Sequence, residues 1–129
     1  DCDKHDNVSI TVRTTYTPWN VYYYDEMYDY FQKEFGITAS GYWCDDKPWN
    51  DVRYLPRKAK DSIIAKLSKY ENNNESWIHI FNVLKKWLTT EPADYDSLQN
   101  SFMEFNTKID NIRKEKFTEV FPEYSKLFT

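Results

Sequence analysis

Residues 8–43 read VSITVRTTYTPWNVYYYDEMYDYFQKEFGITASGYW, and the period of the apolar positions changes twice within them. Over residues 8–16 apolar and polar residues alternate. Val8, Ile10 and Val12 share one face while Ser9, Thr11 and Arg13 share the other, and this β-branched alternation predicts a strand. Thr17-Pro18 breaks it, and a Thr hydroxyl cap with Pro in the first turn predicts a helix over 18–35. Val21, Tyr24, Met27, Tyr28, Phe31 and Phe35 then recur at spacings of three and four, and Gly36 is suited to the left-handed conformation that ends a helix. Residues 37–43, with Ile37, Thr38, Tyr42 and Trp43, predict a second strand before the polar run Cys44-Asp45-Asp46-Lys47-Pro48. Strand, helix and strand in succession make a βαβ unit, whose strands run parallel through a right-handed crossover.

Outward from this unit the chain becomes helical. Residues 44–54 read as a loop. Pro56 opens a helix carrying Ala59, Ile63, Ile64, Leu67 and Tyr70, and the run Glu71 to Glu75 closes it. A further helix over Ser76 to Leu88 is apolar at Trp77, Ile78, Ile80, Phe81, Leu84, Trp87 and Leu88, a face wide enough for burial against two neighbours. Asp94 or Asp96 can cap another, with Leu98, Phe102, Phe105, Ile109 and Ile112 at near-heptad spacing. The tail, with Phe117, Val120, Phe121, Pro122, Tyr124, Leu127 and Phe128, is too apolar to remain undocked. The expected fold is α/β to α+β: a short parallel βαβ segment over 1–54, then three to four packed helices over 55–129.

Composition narrows the function classes. The 129 residues include 11 Tyr, 8 Phe and 5 Trp but only 2 Gly, which supplies a core and excludes a linker or disordered tail. The longest apolar stretch, Trp77 to Leu88, is interrupted by His79, Asn82, Lys85 and Lys86, far short of the roughly 20 residues that cross a bilayer. A net charge of -4 without a basic block leaves no footprint for nucleic acid. A soluble, cytoplasmic protein is the expectation. The chain starts at Asp1 rather than Met, which suggests a processed or truncated chain. Its two cysteines form no CxxC or CxxxCxxC. Parallel strands place Cys2 and Cys44 at opposite ends of the sheet, beyond the roughly 7 Å that a disulfide spans. An antiparallel pair would bring them together, as in a secreted domain with a Cys2–Cys44 bridge.

Ligands of parallel α/β sheets bind beyond the strand carboxyl ends, where loops and helix starts converge. Here those ends offer Thr14, Thr15, Thr17 and Asn20 on one side and Cys44, Asp45, Asp46, Trp49, Asn50 and Arg53 on the other. The plainer reading is that Thr17 and Asn20 cap a helix and that Asp45, Asp46 and Lys47 form a solvated turn. Asp1, Cys2, Asp3, His5 and Asp6 are metal-ligand types on a terminal run without supporting structure. His79, between Ile78 and Ile80, reads as a core or boundary histidine. No GxSxG, HExxH or Gly-rich phosphate loop occurs. The Tyr22-Tyr23-Tyr24 run and the five Trp read as core packing rather than a sugar platform.

Several of these pieces together resemble a known family. The strand ending in Thr14-Thr15, Asn20-Val21-Tyr22-Tyr23, the helix closed by Phe35-Gly36-Ile37, Lys47-Pro48-Trp49 and Arg53-Tyr54-Leu55-Pro56 look like the later barrel units of radical S-adenosylmethionine proteins of the twitch-domain type. Phe105, Asp110, Arg113, Phe117, Phe121, Pro122 and Glu123 resemble the ending of such proteins. The resemblance implies a partial (β/α) barrel of which this chain is the C-terminal portion. Its S-adenosylmethionine and [4Fe-4S] cluster would be held by earlier strands and not by this chain alone, since CxxxCxxC has no counterpart here. Carried over by position, Thr15 and Asn20 would face the cofactor side of the barrel mouth, and Trp43, Asp45 and Arg53 would line the next loop. No catalytic residue follows from the resemblance. The implied partner is the missing N-terminal portion, or a second copy meeting the open sheet edges. The alternative is a non-catalytic interaction module with an aromatic-rich helical core.

Overall fold

Val12–Tyr16 (β1) and Ala39–Trp43 (β2) pair in parallel, with Val12 opposite Ala39, Thr14 opposite Gly41 and Tyr16 opposite Trp43. Tyr24–Phe35 (α1) crosses over between them. This is a computed structural model, and it describes residues 8–70 and 74–128. The βαβ unit read from the sequence is present, with both strands shorter than expected. Residues 8–11 stay outside the strand: the register that matches Val12 to Ala39 would set Ile10 opposite Ile37, whose N–H donates to Phe31 O at the end of α1. The helix begins later too. Residues 18–20 form a turn, with Asn20 and Val21 both donating to Thr17 O, and a 3-10 turn at Val21–Tyr23 leads into α1. At its other end Gly36 adopts φ 63°, and Gly36 N and Ile37 N donate to Gln32 O and Phe31 O, the left-handed ending expected of it.

The sheet has a covered face and an open one. Tyr16 and Ala39 are buried under α1, where Thr14 Oγ1 reaches Met27 Sδ and Tyr24 Oη donates to Ala39 O at 2.7 Å. Gly41 lies on this face, and a Cβ there would stand 1.8 Å from the buried Tyr16 ring, so the ring takes the space of the missing side chain. By the pleat, Arg13, Thr15, Ser40 and Tyr42 face the other way, and Arg13, Thr15 and Tyr42 are exposed. The sheet does not close into a barrel.

Six further helices follow among the described residues: Arg57–Ser68 (α2), Glu75–Thr89 (α3), Tyr95–Leu98 (α4), Ser101–Arg113 (α5), Phe117–Val120 (α6) and Pro122–Leu127 (α7). The expected fourth helix is thus split in two at residues 99–100. α2 and α3 pack on α1 through Ile63, Leu67, Trp77 and Leu84, and Trp77 approaches the rings of both Tyr24 and Tyr28. Lys66 Nζ ties α2 to the start of α1 by bonding Tyr22 O and the Asp25 carboxylate at 2.6 and 2.7 Å. The tail docks as expected. Tyr124 is buried among Phe102, Phe117, Phe128 and Tyr22, and its hydroxyl donates to Pro18 O.

Two apolar faces are narrower than their spacing suggests. Ile78 and Ile112 are exposed, and so is His79, which corrects its reading as a core or boundary residue: no element among the described residues covers that side of α3. No helix among the described residues is long and apolar enough to cross a membrane.

Candidate functional site

The two loops at the strand carboxyl ends leave the sheet side by side, since Thr15 is opposite Tyr42 and Tyr16 opposite Trp43. They place the five predicted residues very differently. Asn20 spends its amide on the chain itself: Oδ1 accepts from Thr17 N at 2.9 Å and Nδ2 donates to Thr15 O at 2.8 Å. That closes the turn after β1, so the amide's structural use answers for it. Thr15 stands exposed on the open face, next to Tyr42 and one pleat from Arg13. A hydroxyl there can meet a ligand that lies against this face.

Trp43 and Arg53 converge on a residue the loop reading missed. Trp43 stacks on Trp87 of α3 with centroids 4.3 Å apart and on Tyr42 at 5.2 Å, and the Arg53 guanidinium lies 4.1 Å from the Trp87 ring centroid. Arg53 is held there by Asp51, which accepts from its Nε at 2.9 Å and its second guanidinium nitrogen at 2.6 Å. Asp51 is fully buried and also accepts from Arg53 N, capping the 3-10 turn Val52–Tyr54. Aspartate two residues ahead of Arg53 is the signal for such a cap. Trp87 carried no comparable signal, because an aromatic on an apolar helix face reads as core.

Cys44, Asp46 and Asn50 are bonded to one another within the loop. Asp46 accepts from Cys44 Sγ at 3.0 Å and from Asn50 Nδ2 at 3.1 Å, and those bonds hold its carboxyl below the usual range. The bond to Asp46, followed by burial, pushes the Cys44 thiol up, so it is a donor and not a thiolate. Asp45 is exposed. Trp49 stacks flat on Phe105 of α5 at 5.1 Å. The Cys2–Cys44 bridge and the acidic run Asp1 to Asp6 fall outside the described residues. The strands that were to test that bridge do run parallel.

Behind the loop, Lys60 is buried, donates to Arg53 O at 3.1 Å and points over the Tyr95 ring, 4.4 Å from its centroid. Burial pulls its ammonium pKa down. Arg57 grips Glu91 with two bonds of 2.6 and 2.8 Å, which lowers the Glu91 carboxyl. The network anchors the loop to the ends of α3 and α4. Replacing Asp51 by Ala strands a half-buried guanidinium and a capped N–H. The expected cost is about 3 kcal/mol in urea unfolding, while Asp45→Ala at the exposed neighbour should cost under ~0.5 kcal/mol. Equal effects would show that Asp51 does not anchor the loop.

A second concavity, of about 310 Å³, lies between α5 and the tail and is lined by Trp19, Phe105, Ile109, Phe117 and Phe121. Its one buried polar side chain, Asn106, is already engaged with Trp19 Nε1 and Phe102 O. The motif residues of the tail have structural partners: Asp110 accepts from Phe117 N at the start of α6, and Glu123 accepts from the Tyr23 hydroxyl at 2.8 Å. Among the described residues no three His, Cys, Asp or Glu side chains are grouped so as to hold a metal ion. In comparisons with known proteins, the chain matches no family model, no curated protein and no solved structure.

Proposed function

We propose that this chain is a non-catalytic module with an aromatic helical core, which presents an unfinished parallel sheet to the elements that complete it. The observation that carries this reading is the two-stranded parallel sheet itself, covered by α1 on one face and open on the other. Parallel sheets are stable when buried on both faces and extended by neighbours, and two strands alone rarely suffice. The aromatic core explains how the chain tolerates such a sheet: α2, α3, α5 and α7 bury Ile63, Trp77, Leu84, Phe102 and Tyr124 without help from β1's outer edge.

The assembly that its motifs resemble is a radical S-adenosylmethionine enzyme, and we propose it as the larger protein to which the module belongs. Two features of the open face favour this. Arg13, Thr15 and Ser40 are polar where a packed barrel interior would be aliphatic, and they lie opposite the helix, on the side a barrel encloses. In that setting S-adenosylmethionine and the [4Fe-4S] cluster belong to strands preceding this chain. Thr15 then faces the enclosed volume, while Asn20, Trp43 and Arg53 shape its rim and Asp45 stays at the surface. The enzyme identity rests on the sequence motifs and on this polar face.

The test is anaerobic purification of the protein encoded by the whole reading frame, with iron and sulfide analysis and a search for 5′-deoxyadenosine from S-adenosylmethionine. A cluster and that product are expected, with no S-adenosylmethionine binding by the 129-residue chain in calorimetry. A whole-frame protein that neither holds a cluster nor cleaves S-adenosylmethionine would remove the enzyme and leave the interaction module.

A further inference from the structure

We infer that the concavity between α5 and the tail is one half of a two-fold interface between copies of this chain, in which Ile112 of each copy enters the concavity of the other. The inference uses no residue of the sheet, so it stands or falls separately from the unfinished-sheet reading. Two local features fix the shape of the concavity. Lys114 ends α5 in the left-handed region at φ 56°, and both carboxylate oxygens of Asp110 accept from Phe117 N, at 3.0 and 3.1 Å. Together they turn the chain at the end of α5 and fasten the start of α6 to it. Phe105 and Ile109 of α5 then line the space with Phe117, Val120 and Phe121 of the tail.

What fits this space is apolar. Its one buried polar side chain, Asn106, already holds Trp19 Nε1 and Phe102 O, and water among such walls finds few bonds. The same face carries a side chain suited to fill it. Ile112 is 77% exposed, more than any other large apolar residue among those described. It follows Ile109 by three positions, so it stands on the same side of α5, one turn beyond the concavity. Exposed as it is, Ile112 does not fill the concavity of its own chain.

A knob and a hole on one face are self-complementary under a two-fold axis, because each copy offers the other what it lacks. The charges agree. Arg113 and Glu115 are exposed beside the same concavity, and neither is in an ion pair with a described residue. Being of opposite sign, they pair across the axis, Arg113 of each copy with Glu115 of the other. Such exposed pairs fix orientation, while the buried Ile112 supplies most of the affinity. Lys116, the next cation along the chain, is already held by Glu119 at 3.3 Å. A small apolar ligand would fill the space but would leave Ile112, Arg113 and Glu115 unengaged.

Sedimentation velocity on the 129-residue chain tests this. A monomer–dimer equilibrium is expected between about 1 and 300 μM, the range of a small interface. Ile112→Glu should weaken it by about 30-fold or more. Its melting temperature as a dilute monomer should match that of the parent chain, because the side chain is exposed there. Arg113→Glu and Glu115→Arg should each weaken association, and the double reversal should restore it, which association through the sheet edges would not do. A chain that stays monomeric throughout, or a dimer that survives Ile112→Glu, would overturn the inference. A monomer that takes up anilinonaphthalene sulfonate equally with and without Ile112→Glu would make the occupant a small apolar ligand and overturn it too.

Discussion

Raising the pH above 10 is expected to unfold this protein cooperatively, because its core is built on tyrosines that ionise only when it opens. Tyr16, Tyr24 and Tyr124 are all within 2% of full burial. Burial raises the pKa of each above the ordinary 10.0, and neighbouring phenols add to this for Tyr24 and Tyr124. The hydroxyls of Tyr24 and Tyr124 donate to Ala39 O and Pro18 O, bonds that a phenolate cannot make. In the unfolded chain they lose their protons near 10, so above that pH the folded state binds more protons and stability falls as pH rises. Each such group contributes a slope of about 1.4 kcal/mol per pH unit, so three give about 4. Lys60 acts in the opposite sense, since its lowered pKa makes stability rise with pH just below 10.5, but it is one group against three. With a typical 5–15 kcal/mol to lose, unfolding should be complete within roughly one to four pH units of pH 10. Tyrosinate absorbance and far-ultraviolet circular dichroism should change together. A smooth titration of all the tyrosines near 10 with the helical signal intact would refute it.

Tyr124→Ala should be among the most damaging single substitutions outside the βαβ unit. The ring is fully buried and lies 5.2 to 6.4 Å from those of Phe117, Tyr22, Tyr23, Phe128, Phe121 and Phe102. Its hydroxyl spans 106 positions to bond Pro18 O, joining the tail to the turn after β1. Lost transfer energy and an unfilled cavity cost about 3–5 kcal/mol. For a chain of this size, that lowers the melting temperature by roughly 12–20 °C. Tyr124→Phe keeps the packing and loses one buried hydrogen bond, about 1–2 kcal/mol. If Ala and Phe cost the same, the tail is held by the hydroxyl alone and its aromatic packing contributes little.

The βαβ unit was legible because its periods are local properties. Alternation over residues 8–16, three-and-four spacing over 21–35 and Gly36 each speak for their own segment, and crossover length sets the strand direction. Boundaries were less legible. The helix starts at Tyr24 and not Pro18 because Asn20 and Thr17 close a turn there, a competition between side chain and backbone that spacing does not record. The candidate site divided along the same line. Asn20 and Arg53 lie where the strand ends put them, but Asn20 is spent on the turn, and Arg53 acts with Asp51 and Trp87 rather than with Asp45.

What the sequence by itself determined is the order of elements, the parallel direction of the strands, the apolar sides of the long helices and the docking of the tail. Only the tertiary structure decided that Trp43 meets Trp87 across 44 positions, that Tyr124 reaches Pro18, and that Tyr70 and Lys66 bond the acidic side chains of α1. The reason is physical. Periodicity states which side of an element must leave water, but which surface receives it depends on shape and volume summed over the whole core. Ile78, His79 and Ile112 lie on helices whose spacing is amphipathic and yet remain exposed, because no other part of the described chain reaches them.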